Sequence, residues 1–306
     1  MSDRATTPIP VRSPDGESRY GQVFDRGYSH YDGPREGRRR AVISLFGYSI
    51  KRALGIRKSW TAKILPALLY FSAFIPIIVM IGISTIIPEA EIASYSGYFE
   101  AIALLEVIFV ATVVPEMLIP DRRERTLPLY FARAITRFDY VIAKMAAAAV
   151  LTMTISVVPA IILWLGRQLT AGSPVSAMRE HLDDFGKVIL MGTIIALSLG
   201  MISLVISSFT DRKGVAIAVI VIGLLVLGGL AEVAMTELTQ EWRRYLIFAT
   251  PERVYDAIAS SLFDSQPSDY VEIADFSMWV YYAWVGVVVI GGSLFVRWRY
   301  SPRNAS

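Results

Sequence analysis

A dense group of ionisable residues lies at 116–125, where one glutamate precedes an unbroken run of five acidic and basic side chains at 121–125. A short apolar segment follows at 127–135, and a second polar group follows that at 136–139. A short helix here would present both charged and apolar side chains, as a contact with a soluble protein requires. The alternative is an anchor whose charges pair with one another and with lipid phosphates.

Single carboxylates in long apolar runs are the second candidate for chemistry, because an ionisable side chain inside a membrane is costly and usually functional. Glu106 is the deepest, about 9 Å inside Glu100 at the 1.5 Å rise of a helix. It could line a substrate cavity or contact a proton or cation. Alternatively, it is a protonated or Ser/Thr-paired residue packed between helices. Glu100 and Glu232 lie near the ends of their apolar runs and would make that boundary acidic.

Several kinds of catalytic chemistry are excluded by residue type. The chain has no cysteine, which removes thiolate metal ligands and cysteine nucleophiles. Its two histidines, His30 and His181, stand alone in polar segments, so we expect no metal site. The sequence has no phosphate-binding G-x-x-x-x-G-K-[ST] loop, and its apolar runs hold no paired Asp, His–Glu or Ser–Lys constellation. We therefore expect no catalytic residues and no cofactor bound by this chain.

The apolar content predicts an integral membrane protein. Of 306 residues, 54% are hydrophobic and 19% are charged, which is more apolar than a soluble domain usually is. Crossing about 30 Å of hydrocarbon takes about 20 helical residues, and six runs are long enough. We therefore predict an all-α fold with six transmembrane helices, at 64–87, 99–119, 141–165, 186–208, 214–235 and 276–296.

Lysine and arginine positions predict the orientation, because these residues are retained on the cytoplasmic side. With the N-terminus inside, 24 of the 30 fall in predicted cytoplasmic segments. We expect both ends in the cytoplasm, with a flexible segment at 1–40, a six-span domain at 64–296 and a tail at 297–306. The basic residues alternate with apolar runs and form no continuous surface, so we expect no nucleic-acid partner.

An amphipathic pattern precedes the first span. Val42, Ile50 and Trp60 fall on one side of a helix, and Lys51 falls opposite. We expect an interfacial amphipathic helix at 41–63, lying in the inner membrane interface. The alternative is a cytosolic helix packed on the protein itself.

The connection at 236–275 is too polar to cross a membrane and too apolar for a plain loop. Two short amphipathic helices broken at Pro251 fit it best, the first carrying Tyr245 and the second carrying Val254 and Ile258. We expect an outer helical hairpin between spans five and six, as a cap or re-entrant element. The alternative is a lid that only covers the hydrophobic ends of the helices.

The loop between the second and third predicted spans resembles a known family. Its run DRRERTLPLY at 121–130, followed by ARAITRFDYVIAK at 132–144, resembles the type-2 ABC exporter permeases. In these, a glutamate, a DR-E-x-TL-type motif, an R-x-x-(T/S)-R step and a Y-x-x-x-K entry occur in that order. The stretches GYSHYDGPREGRRR and LGIRKSWTAKILP resemble those before the first span in a bacterial subgroup. Arg125 stands where a glycine is usual and Ala134 where a proline often occurs, which leaves the backbone path of the loop open.

The resemblance implies that transport and ATP hydrolysis are carried out by different subunits. The chain would be the permease subunit of an ATP-driven exporter, multi-pass in the bacterial inner membrane and surrounded by its lipids. It would pair with a second permease copy or a paralogue, and with two ABC-type ATPase subunits that hold ATP and Mg²⁺. The expected contact with the ATPase comprises Glu116, Asp121, Arg122, Arg123, Glu124, Thr126, Leu127, Pro128 and Tyr130.

An ATP-independent secondary transporter or channel is the alternative function. Three spans plus three would give two inverted halves, each with one long connection. The residues Glu106, Glu100 and Glu232 are the candidates for lining a pathway.

Overall fold

The computed structural model describes residues 33, 37–56, 59–86, 94–132, 135–169 and 173–300, and these contain helices and turns but no strand. All the helices belong to one compact unit, Glu36–Ser306. The predicted flexible segment falls almost wholly outside the described residues, as do the last six residues of the predicted tail. The α-helices are α1 Arg38–Ala53, α2 Thr61–Ile86, α3 Tyr95–Arg123, α4 Leu127–Phe131, α5 Arg137–Leu169, α6 Pro174–Glu180, α7 Leu182–Ser207, α8 Lys213–Val221, α9 Leu227–Glu237, α10 Pro251–Leu262, α11 Asp269–Ala274, α12 Met278–Gly286 and α13 Gly292–Arg299.

Six helices in the described part of the chain are long and apolar enough to cross a membrane, which confirms an all-α membrane protein. Spans five and six each contain one wide π-helical turn, Ile222–Val226 between α8 and α9 and Val287–Gly291 between α12 and α13. In chain order, the spans are Lys63–Ile83, Tyr95–Arg123, Arg137–Leu169, Leu182–Ser207, Lys213–Glu237 and Met278–Arg299.

Spans two, three and four form the centre of the bundle. In the most apolar 18-residue stretch of each of these spans, 72%, 61% and 61% of the residues are buried. The corresponding values are 22%, 22% and 11% in spans one, five and six. Helices α5 and α7 pack closely, since a Cβ at Gly192 would overlap Val157 and one at Gly200 would lie 3.5 Å from Ala148 Cβ. The apolar faces of the three outer spans are therefore left to contact lipid or another protein.

Helix α1 is shorter than the segment predicted at 41–63. It ends at Ala53 because Gly55 adopts a left-handed conformation (φ 65°), and the Ile56 amide donates back to the Lys51 carbonyl at 3.0 Å. Trp60 lies in the connection that follows and is 79% exposed. The apolar face of α1 packs on α5 and α3, as the alternative of a helix packed on the protein itself describes.

The connection between spans five and six is helical, and a new helix begins at Pro251, where a break was predicted. Residues Glu241–Ala249 form a 3₁₀ helix, and Pro251 is the first residue of α10. Val254 and Ile258 are fully buried because α10 packs among α3, α7 and α12. The short helix α11 was not predicted. The element therefore lies within one end of the bundle, opposite α4.

Candidate functional site

The charged segment begins where α3 ends, in a turn closed by two backbone hydrogen bonds. The Thr126 amide donates to the Asp121 carbonyl and the Arg125 amide donates to the Arg122 carbonyl, both at 3.0 Å. This pattern requires a left-handed residue after the helix, and Arg125 supplies it with φ 53°. The loop thus has the backbone path for which glycine is best suited, although arginine occupies the position.

Asp121 lies inside the protein. It is 0% exposed, and its Oδ2 is 2.7 Å from Lys144 Nζ and accepts a hydrogen bond from the Tyr140 hydroxyl at 3.0 Å. Arg52 on α1 lies 3.7 Å from Oδ1. Tyr140 and Lys144 are one helical turn apart on α5, so the Y-x-x-x-K spacing places both on the carboxylate. In this conformation Asp121 has no surface to offer a partner protein.

Two further charges connect the end of α3 to the connection before span five. Arg122 donates to the Ser208 carbonyl and lies 3.1 Å from Asp211 Oδ1. The mostly buried Glu116 is ion-paired with Lys213 at the start of α8. These contacts fix the position of the charged segment relative to spans four and five.

The exposed part of the segment is a mixed charged and apolar surface. Leu127 and Tyr130 are half-buried and pack against the core, with the Tyr130 ring 6.1 Å from that of Tyr140. Leu129 points the other way and is 66% exposed. We call the outward-facing set the α4 surface; it consists of Arg123, Glu124, Arg125, Pro128 and Leu129.

Leu129 lies within the predicted contact segment 121–130 but was not named among its contact residues, although helical spacing could have identified it. Leu127 and Tyr130 are three residues apart and share one face of α4, which leaves Leu129 on the other face. Glu124 of the α4 surface is ion-paired with helix α1, because Arg52 Nη2 lies 2.6 Å from Glu124 Oε1. Helix α1 therefore contacts both the buried and the exposed charges of the segment.

The start of α5, directly after the α4 surface, is also fixed. The Thr136 amide donates to Asp139 Oδ2 at 2.8 Å, and the Asp139 amide donates to Thr136 Oγ1 at 3.2 Å. This reciprocal capping satisfies backbone donors at the helix start. Arg38 of α1 binds the same carboxylate through two nitrogens, each at 2.8 Å. Both ends of the loop are therefore attached to α1.

A cavity of about 230 Å³ lies at the opposite end of the bundle, between α3, α7 and α10. Glu100 and Glu106 line it from α3, and Glu252, Arg253 and Asp256 line it from α10. Burial, and then the carboxylate of Glu232, raise the pKa of Glu252. The cavity thus brings together acidic side chains from segments far apart in the chain.

Arg253 joins two of the predicted pathway residues. Its Nε lies 2.8 Å from Glu232 Oε1, and its Nη1 lies 3.6 Å from Glu100 Oε1. Its guanidinium also stacks over the Tyr270 ring at 4.5 Å from the centroid. Sequence reasoning missed both Arg253 and Glu252, because nothing in the local pattern of α10 marks them.

Glu106 combines both readings that the sequence left open. It is 1% exposed, and one of its oxygens accepts a hydrogen bond from Ser156 on α5, as a residue packed between helices would. It also lines the cavity. No group of metal-ligating side chains occurs among the described residues.

The family model for the ABC-2 family transporter proteins matches residues 57–301, which is most of the chain. The chain belongs to the ABC-2 transporter family. A search of curated proteins finds no match. This ABC-2 protein is therefore a membrane permease of an ABC transporter. The matched region contains all six spans, the α4 surface and the cavity beside α10, whereas α1 lies before it.

Proposed function

We propose that this protein is the permease subunit of an ATP-driven exporter and that it binds its ATPase through the α4 surface. The observation that carries the proposal is the exposed Leu129 among charged side chains, on a loop whose other residues are held in place. Apolar side chains surrounded by charge are typical of protein contacts. Leu129 lies outside the six spans, so its exposed side chain is available to a soluble protein rather than to the hydrocarbon of the membrane.

The buried charges would transmit movement rather than make the contact. Asp121 connects the loop to α5 through Lys144 and to α1 through Arg52, and Arg122 connects it to the connection at Ser208. A displacement of α4 by an ATPase would therefore reach spans two, three and four together. In this proposal Asp121 and Arg122 position the loop, and Arg123, Glu124, Pro128 and Leu129 touch the partner.

The working unit in this proposal is a dimer with two ATPase subunits. The permease partner is a second copy or a paralogue, and the exposed apolar faces of spans one, five and six offer room for it. ATP and Mg²⁺ would be held by the ATPase, since the sequence has no phosphate-binding loop. In this proposal the protein lies in a bacterial inner membrane with both ends in the cytoplasm, and the α4 surface faces the ATPase on the cytoplasmic side.

The proposal is tested by purifying the tagged protein from native membranes in mild detergent, followed by mass spectrometry and an ATPase assay. We expect an ATPase with a P-loop sequence in near-stoichiometric amount. Leu129→Asp should abolish its recovery. Leu182→Asp is the matched control, because Leu182 is 62% exposed at the opposite end of the bundle. Recovery of the permease alone, without ATP hydrolysis, would favour a secondary transporter or channel instead, and Glu106 would be tested next.

A further inference from the structure

The cavity beside α10 holds more carboxylates than its own cation neutralises. Arg253 is the one cation among the described lining residues, and Glu232 and Glu100 already bind its guanidinium. Glu106 and Glu252 line the same cavity, and neither forms an ion pair within the described part of the chain. The cavity therefore has an excess of acidic groups next to an enclosed space.

One of these two carboxyls has a buried oxygen for which the described residues supply no hydrogen-bond donor. Glu252 Oε1 is buried and accepts no hydrogen bond from the described residues. Glu106 accepts one hydrogen bond, from Ser156, and its carboxyl also lines the cavity. Buried polar atoms in folded proteins are nearly always hydrogen-bonded, so an unpaired buried oxygen beside a cavity indicates a donor that comes from elsewhere.

The rest of the wall suits an organic cation better than a metal ion. Phe99 and Tyr255 contribute aromatic rings, whose faces attract cations, and Met191 contributes a side chain that adapts its shape to a ligand. Hard metal ions prefer several closely grouped oxygen ligands, and no such group of side chains occurs among the described residues. The volume of about 230 Å³ lies below the roughly 300–1,000 Å³ of pockets for drug-sized ligands, so the ligand is small.

We propose that this cavity binds a small organic cation, whose ammonium group lies between Glu106 and Glu252 and whose apolar part packs on Phe99 and Met191. An ammonium group carries donors and no acceptor, which matches the carboxylates of Glu106 and Glu252 on the cavity wall. The inference rests on the proposed function, because it assigns a cargo class to the exporter. The same group occurs on free amines and on the ethanolamine head group of lipids.

The test is binding of phenethylammonium to the full-length protein in phosphatidylglycerol nanodiscs, measured by isothermal titration calorimetry after subtraction of the heat from protein-free nanodiscs of the same lipid, which themselves attract the cation. Its uncharged counterpart, phenethyl alcohol, should bind at least about tenfold more weakly, since hydrogen bonds to a charged group are the stronger ones. Glu106→Gln and Glu252→Gln should each weaken binding of the cation by about tenfold or more. Glu237→Gln changes an exposed carboxylate at the same end of the bundle and should leave the affinity unchanged.

Equal affinity for the cation and the alcohol would overturn the proposal, as would unchanged affinity in both cavity variants. The first comparison uses the unaltered protein, so it decides the matter even if a variant fails to fold. Nanodiscs that contain phosphatidylethanolamine distinguish the two sources. Competition with the probe there assigns the site to a lipid head group, and undiminished binding assigns it to a free cation. The assay needs no ATPase, so its failure would leave the co-purification result standing.

Discussion

Replacing Lys144 with methionine tests whether the buried charges at the end of α3 hold the loop in place. Lys144 and Asp121 are 1% and 0% exposed, and the ammonium group also donates to the Met117 carbonyl at 2.7 Å. Methionine is similar in size but brings no charge. The substitution leaves the Asp121 carboxylate with the Tyr140 hydroxyl at 3.0 Å and the Arg52 guanidinium at 3.7 Å.

The expected loss follows from the remaining partners. Removing one member of a buried ion pair costs about 3–5 kcal/mol. Because Tyr140 and Arg52 still stabilise the carboxylate, we expect the lower end, about 3 kcal/mol. At about 2–4 °C per kcal/mol for a protein of this size, the melting temperature should fall by about 6–12 °C.

The assay is thermal unfolding of the detergent-purified protein, followed by tryptophan fluorescence. Lys51→Met, on the exposed side of α1, is the control and should change the melting temperature by less than about 2 °C. Lys144→Met combined with Asp121→Leu removes both charges and should recover most of the lost stability. If Lys144→Met melts like the parent protein, the pair does not hold the loop and the argument from burial is refuted.

Three further predictions concern the charged segment at 116–125 and the cavity beside α10. Arg125→Gly should raise the melting temperature by about 2–4 °C, because it relieves about 1 kcal/mol of left-handed strain; no rise would contradict the assigned turn. Arg122→Glu should cost about 2 kcal/mol, since it loses bonds to a carbonyl and a carboxylate, whereas Arg123→Glu should leave melting unchanged and reduce co-purified ATPase. Glu252→Gln should melt higher than the parent at about pH 8. Burial, and then the carboxylates of Glu232 and Glu100, raise the pKa of Glu252, whereas the guanidinium of Arg253 lowers it. Stability from the protonated carboxyl is present below about pH 4.5 and is lost as pH rises through the raised pKa, so the difference should vanish near pH 4.5.

The six spans were predictable because the length of an apolar run is a local property of the sequence. The last two predicted spans, 214–235 and 276–296, agree closely with the helices Lys213–Glu237 and Met278–Arg299. The second span runs further than the predicted 99–119, because its helix continues past the apolar core into polar ends. At its start the Gly97 amide donates to Ser94 Oγ at 3.1 Å, which caps the helix.

The roles within the charged segment were not predictable from the sequence. Asp121 reads as a surface charge beside arginines, and its burial depends on Lys144 and Arg52, which come from two other helices. Arg253 counted only as one basic residue in an outer segment, because its partners Glu100 and Glu232 are distant in the chain. Pairing between distant segments leaves no local pattern to recognise.

The end of α1 shows a local signal that the helical pattern concealed. Apolar residues continue at helical spacing as far as Trp60, but Gly55 ends the helix after Ala53. Glycine just after a helical pattern is a known stop signal.

The most direct measurement is photocrosslinking in native membranes from a light-activated amino acid placed at position 129. We expect the crosslinked product to contain a P-loop ATPase. The same amino acid in place of Trp242, which is exposed at the opposite end of the bundle, should give no such product. Two results would contradict the assignment of the α4 surface as the contact with the ATPase. One is an ATPase crosslinked from position 242 but not from position 129, and the other is no ATPase crosslinked from either position.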